Sequence, residues 1–172
     1  MAESDTPNQN DENIEKLGDL IKDIRIAMLT TADKDGTLRS RPMGTLKTPF
    51  DGDLWFFTSS ESPKVGEVER EHQVNLSYAD PGGNTYVSVS GRATLVRDRA
   101  KMEALWSPAL KAWFPNELDE PDIALLRVHV EKAEYWDQAH GKVVQLFGFV
   151  RAVLTGQRYY PGENEKIDLD TA

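Results

Sequence analysis

The residues best suited to chemistry lie together at Thr58, Ser59, Ser60, Ser62 and Lys64, with Pro63 among them. They follow an apolar run at 54–57, Leu-Trp-Phe-Phe, which reads as a buried strand. Ser62 suits an N-cap and Pro63 the first helical position, so a helix opens at the strand's end with Lys64 in its first turn. Hydroxyls, backbone N–H groups, the positive end of a helix dipole and an ammonium then converge. That is the chemistry of phosphate recognition. The aromatic strand could wall a flat ring, which points to a phosphorylated aromatic cofactor. The same residues also read as an ordinary capped helix with a solvated lysine, and short motifs of this kind recur by chance.

A second candidate group lies just upstream. Residues 37–46 read as a strand in which Arg39, Arg41 and Met43 share one face and Ser40, Pro42 and Gly44 the other. Pro42 cannot donate to a sheet ladder, so this strand is expected at an edge, a bulge or a break in pairing. Backbone groups beside it would be free for a ligand. Arg41 suits an anion, Arg39 less so, and a solvated strand face is the plain alternative.

These groups need elements to hold them. Helical spacing of Ile14, Leu17, Leu20, Ile21 and Ile24 predicts a helix from Asp11. A strand at 26–32 and the return strand flank Asp33-Lys34-Asp35-Gly36, a strong hairpin signal. Further strands are expected at 53–58, 73–79 and 85–96, with a short helix from Pro63 to about Glu71. Gly91 marks a bulge or a close approach. Asp98 opens a helix that Pro108 interrupts, and Leu110, Trp113 and Phe114 form a second short turn closed by Pro115. One long or kinked strand covers 123–136, a closing helix covers about 143–154 and ends at Gly156, and 157–172 is an extended or disordered tail. Residues 1–11 read as a disordered tail, which leaves 12–156 as one domain. Tight hairpins without βαβ crossovers exclude a doubly wound sheet and favour a small antiparallel barrel with helices packed on it.

With 172 residues, the chain can bury about 70% of its extended-chain surface. It has no cysteine, which removes disulfides, thiol nucleophiles and Cys-ligated metal centres. Its net charge of −9 argues against nucleic acid and anionic membranes as partners. No segment is apolar enough to span a membrane, so a cytoplasmic protein is expected. His72, His129 and His140 are scattered and suggest neither a metal site nor a triad. Trp55 and Trp136 read as core. Trp106 and Trp113 read equally as core, or as a ligand wall or dimer contact on an irregular insert.

Six short motifs occur in order: Ser40-Arg41-Pro42-Met43, residues 51–58, Ser62-Pro63-Lys64, residues 74–80, residues 86–91, and Trp106 with Trp113-Phe114-Pro115. In this combination the chain resembles the general stress protein branch of the pyridoxamine 5′-phosphate oxidase-like superfamily, over about residues 12–169. The resemblance implies an FMN-binding split β-barrel, mainly β with helices (α+β), with an N-terminal helix, a helical insert and a C-terminal helix. It implies a homodimer with the flavin at the interface. It places Arg39, Ser40, Arg41, Pro42 and Met43 along the isoalloxazine, and Phe57, Thr58, Ser59 and Lys64 at the ribityl phosphate. Trp106, Trp113 and Phe114 would pack near the ring, often from the partner subunit. The C-terminal Trp, Pro and Arg-x-His-type segment with which pyridoxamine-phosphate oxidases bind their substrate has no counterpart here, so that activity is not expected. The expected function is an FMN-dependent oxidoreductase on a small substrate, with its electron donor unnamed. The alternatives are a non-catalytic flavin reservoir, sensor or scavenger, or a binder of FAD or a deazaflavin.

Overall fold

The computed structural model describes residues 9–137 and 163–169. Helix α1 (Gln9–Ile21) begins two residues before the expected start and buries Leu17 and Ile21. Strands β1 (Ile26–Ala32) and β2 (Leu38–Gly44) form the predicted hairpin, with Ala32 opposite Leu38. Its turn needs a glycine: Gly36 has φ +83°. Next come β3 (Asp53–Ser59), α2 (Pro63–Arg70), β4 (Gln73–Asp80) and β5 (Thr85–Val96). Helix α3 (Arg99–Leu105) is capped by Asp98, whose side chain accepts from the Lys101 backbone N–H. Two 3-10 turns (Pro108–Ala112 and Glu117–Asp119) lead into β6 (Ile123–Asp137) and β7 (Glu163–Asp168).

Every strand pair is antiparallel, and the order is β2-β1-β4-β5-β6-β3. The first half of β6 pairs with β3 and the second half with β7. The sheet stays open, with β2 and β3 as the ends of the strand path, so the architecture is a split barrel rather than a closed one. The edge position of β2 accounts for Pro42, whose missing N–H would break a ladder on an inner strand.

The barrel interior is filled by alternate residues, among them Leu29, Phe56, Leu76, Val89, Val128 and Tyr135, with Leu17 and Ile21 of α1 packed on them. A second apolar cluster lies on the outer face, where Met102 and Phe114 cover Ile123 and Leu125. Strand β6 is therefore buried on both faces at its start, which is why 123–126 is an unbroken apolar run. Gly91 fits its expectation. The β5–β6 register shifts at Ser90/Gly91, and a Cβ on Gly91 would lie 2.2 Å from the His129 carbonyl oxygen.

Three expectations change. Trp55 is not core: it is half-buried on the outer face of β3, between Lys101 (4.6 Å) and Arg127 (5.9 Å). Trp136 also faces outward and is exposed, opposite Tyr86 of β5. Within the expected tail, Glu163–Asp168 is a paired strand whose Ile167 is buried against the barrel. Of the tail expected at 1–11, residues 9–11 belong to α1, and residues 1–8, like the closing helix expected at 143–154, lie outside the described residues.

Candidate functional site

The strand end and helix start fall where the sequence put them. Ser62 is the N-cap of α2 in extended conformation and Pro63 opens the helix. Ser62 makes no side-chain cap, however. Its Oγ instead accepts from Lys64 Nζ at 2.8 Å. Lys64 is half-buried, and burial, with the nearby Arg41 charge adding to it, holds its ammonium below the usual lysine range.

Arg41 rises from β2 on the inner side, next to Met43, whose side chain is buried in the core. Its Nη1 donates to Glu67 Oε2 at 2.8 Å and to Thr31 Oγ1 at 3.0 Å, and Thr31 Oγ1 donates to the same Glu67 oxygen at 2.5 Å. Glu67 and Thr31 are both buried. Burial alone would push the Glu67 carboxyl up, but hydrogen bonds from Arg41 and Thr31 and the Arg41 and Arg39 charges outweigh it. The net shift is below the usual carboxylate range.

The cations of this end differ in their partners. Arg39 and Arg70 both reach Asp33, at 2.9 and 3.4 Å, and Arg41 has Glu67. Lys64 forms no ion pair among the described residues. It stands at the N-terminus of α2, where the dipole adds to its charge. The cluster can therefore take an anion at Lys64 without first breaking a carboxylate pair.

Thr58 and Ser59 point to opposite faces of β3, as strand geometry requires. Thr58 is buried, and its hydroxyl donates to the Ser59 carbonyl at 3.3 Å. The Ser59 hydroxyl is held by the Asp122 carboxylate and accepts from the Glu61 backbone N–H at 3.2 Å. An acid beside Ser59 works against an anion on that face.

On edge strand β2, the Thr45 N–H reaches the Arg25 carbonyl at 2.9 Å. By alternation, the backbone groups of Arg41 and Met43 turn toward β1, and those of Ser40, Pro42 and Gly44 turn toward the free edge. The Ser40 hydroxyl pairs with Thr30 at 2.7 Å. Arg39 is exposed.

The aromatic candidates divide. Phe57 meets Trp106 edge-on at 5.6 Å between centroids and Phe114 at 6.3 Å, inside the outer cluster. Trp113 stays out of it, 74% exposed on the insert. The structure thus brings Arg41 and Lys64 together around Glu67, and Phe57, Trp106 and Phe114 together on the other face of β3.

Two residues escaped the sequence reading. Glu67 gave a faint signal, a carboxylate between the buried Val65 and Val68 of a short helix. Asp122 gave none, since it lies 63 positions from Ser59.

Comparison with known proteins follows the same lines. A profile of the family described as pyridoxamine 5′-phosphate oxidase like matches residues 12–160. The protein bli-3 of Neurospora crassa is 31% identical over 167 residues, covering 91% of this chain and 80% of bli-3. The structure assigned to general stress protein 26 from Jannaschia sp. CCS1 superposes with a TM-score of 0.71 at 25% identity, covering 87% of this chain and 94% of that one. The general stress FMN/FAD binding protein of Xanthomonas citri gives 0.65 at 28% identity, over 76% of this chain and 92% of that one. Split barrel, edge proline, strand-end lysine and aromatic insert all sit within the matched span, and the chain belongs to the pyridoxamine 5′-phosphate oxidase-like family, alongside the general stress proteins.

Proposed function

We propose that the chain binds FMN through its terminal phosphate at Lys64 and Arg41, as a homodimer, and serves as an FMN-dependent oxidoreductase. The observation that carries this reading is the half-buried Lys64 ammonium at the start of α2, which has no ion-pair partner among the described residues and stands next to an arginine already neutralised by Glu67. One ammonium, a helix N-terminus and the free edge of Arg41 suit a phosphate dianion. The free backbone edge at Ser40 and Gly44 suits the polar rim of a flavin ring. Bound FMN supplies hydride or electron transfer, and the protein supplies grip and electrostatics. The Asp122 carboxylate on Ser59 favours a monophosphate over the longer diphosphate of FAD. The Xanthomonas citri relative, described as FMN/FAD binding, supports the cofactor class.

The dimer reading rests on the outer face of the sheet. Ile26 and Met28 of β1, Tyr86 of β5 and Trp136 of β6 are all exposed there. Exposed apolar side chains of this size gathered on one face suit a protein partner. Trp113 is equally available to a second copy.

The test compares FMN with riboflavin by fluorescence titration. Lys64→Ala should weaken FMN about 10- to 100-fold, as loss of a charge-assisted bond does, and leave riboflavin unchanged. Equal losses for the two ligands would remove the phosphate assignment. Anaerobic reduction by NADH or NADPH well above the free-flavin rate supports turnover; the free-flavin rate supports a flavin reservoir instead. Sedimentation should give a dimer.

A further inference from the structure

The barrel has a second opening, away from the phosphate end. A cavity of about 280 Å³ lies between α1, the loop after β2 and the start of β3. Its walls are apolar: Ile14 and Ile21 on the helix, Leu46 and Phe50 on the loop, Leu54 and Phe56 beneath. Gly18 sets the wall spacing, because a Cβ there would stand 3.3 Å from Phe50 Cβ. Charges sit at the rim, where Lys22 bridges Asp19 at 2.9 Å. None of the residues assigned to the flavin lines this space.

Thr45, Thr48 and Asp53 also line the cavity, but the Thr45 hydroxyl donates to the Ile24 carbonyl and Asp53 pairs with Arg127 and His129, which leaves Tyr78 as the buried polar side chain of the wall. Tyr78 is 2% exposed, lines the cavity, and its hydroxyl has no hydrogen-bond partner among the described residues. Burial pushes its phenol well above the usual tyrosine range. Tyr135, buried in the same core, donates to Glu165 at 2.6 Å. Buried hydroxyls are ordinarily paired, so one that lines a cavity with no partner among the described residues suits a ligand's polar atom. A cavity of about 150 Å³ already takes benzene, and this one is larger.

We infer that this barrel end is a second small-molecule site, for a one- or two-ring apolar molecule with a single hydrogen-bonding oxygen or nitrogen that meets Tyr78. The ring fills the space between Phe50, Leu54 and Phe56, and the polar atom reaches the phenol. Entry is from the α1 side, past Ile14 and the charged rim. The site does not depend on the flavin reading, and its ligand binds alongside FMN rather than against it.

Two-dimensional amide NMR of the full chain, with and without FMN, tests this with 2-naphthol as the probe and naphthalene as the analogue lacking a polar atom. Saturable shifts at Gly18, Leu46, Phe50 and Tyr78 are expected with 2-naphthol in both states. Tyr78→Phe should weaken 2-naphthol by about fivefold or more, the loss of one hydrogen bond, and change naphthalene by less than about twofold. Because the hydroxyl has no partner among the described residues, Tyr78→Phe should not lower the melting temperature. Ile14→Trp, which fills the mouth from the helix side, should block both probes. The inference is overturned by an absence of saturable shifts at the lining, by equal loss of both probes in Tyr78→Phe, or by displacement of 2-naphthol on adding FMN. A lower melting temperature for Tyr78→Phe would also overturn it, since the hydroxyl would then have a partner within the chain.

Discussion

Arg41 and Glu67, on strand β2 and helix α2, form an ion pair at 2.8 Å in which the carboxylate is the more deeply buried partner. Side-chain exposure is 22% for Arg41 and 5% for Glu67. The pair pins an edge strand, which has a neighbour on one side only, to the helix that carries Lys64. It also decides which single substitution costs more. Arg41→Met leaves a carboxylate with no route to water, whereas Glu67→Leu leaves a guanidinium that can still reach solvent. We expect Arg41→Met to cost about 3 kcal/mol or more and Glu67→Leu clearly less, with the double variant recovering much of the loss. Urea unfolding of the three variants checks the order. Equal single costs with simple additivity would mean that the pair is not coupled.

The same carboxylate sets an acid limit. The Glu67 carboxyl lies below its ordinary value of 4.5 in the folded chain. A group lowered on folding stabilises fully above its unfolded value, and that contribution is lost as pH falls through the folded one. Unfolding free energies of the parent and Glu67→Gln should therefore differ by a constant amount at neutral pH and converge below about pH 4.5. A gap unchanged down to pH 3 would show that the charge of Glu67 contributes nothing.

Much of this frame was legible in the chain because it is local. The Asp-Lys-Asp-Gly turn, the Asp98 cap and the Pro63 helix start are each fixed by residues within four positions of one another. Strand alternation put Thr58 and Ser59 on opposite faces, but not which face is the core. That depends on the insert: once Met102 and Phe114 cover the outside of β3, Phe57 and Trp55 turn to them and the interior falls to Leu54 and Phe56. Trp55 was misplaced for this reason, since its size suits a core and its cationic neighbours come from 46 and 72 positions away, Lys101 and Arg127. The partner of Ser59 was out of reach of the sequence for a similar reason. The Ser59 hydroxyl is free in sequence and bound to Asp122 in space.

Gly91 allows no side chain. A methyl group at this point of β5 would stand 2.2 Å from the His129 carbonyl oxygen, on a backbone held by pairing on both sides of β6. Neither strand can move without breaking a ladder. Gly91→Ala should destabilise by more than about 3 kcal/mol, beyond the usual cost of an overpacked core. Gly66→Ala serves as the control, because its added Cβ meets only the end of the Arg70 side chain at 3.8 Å, and it should be neutral or slightly stabilising in its helix. Thermal melts of the two variants decide the matter.

The two indoles of the insert should behave oppositely. Trp106 packs edge-on against Phe57, with Phe114 completing the contact. Phe57→Ala removes the ring that holds both, and should cost about 3–4 kcal/mol, with fast hydrogen exchange confined to residues 99–114 at first. Trp113 stands 74% exposed, so Trp113→Ala should change monomer stability by less than about 0.5 kcal/mol. If the exposed indole meets a second copy of the chain, the same variant should weaken the dimer in a dilution series followed by sedimentation. Loss of stability with an unchanged dimer constant would assign Trp113 to its own chain instead.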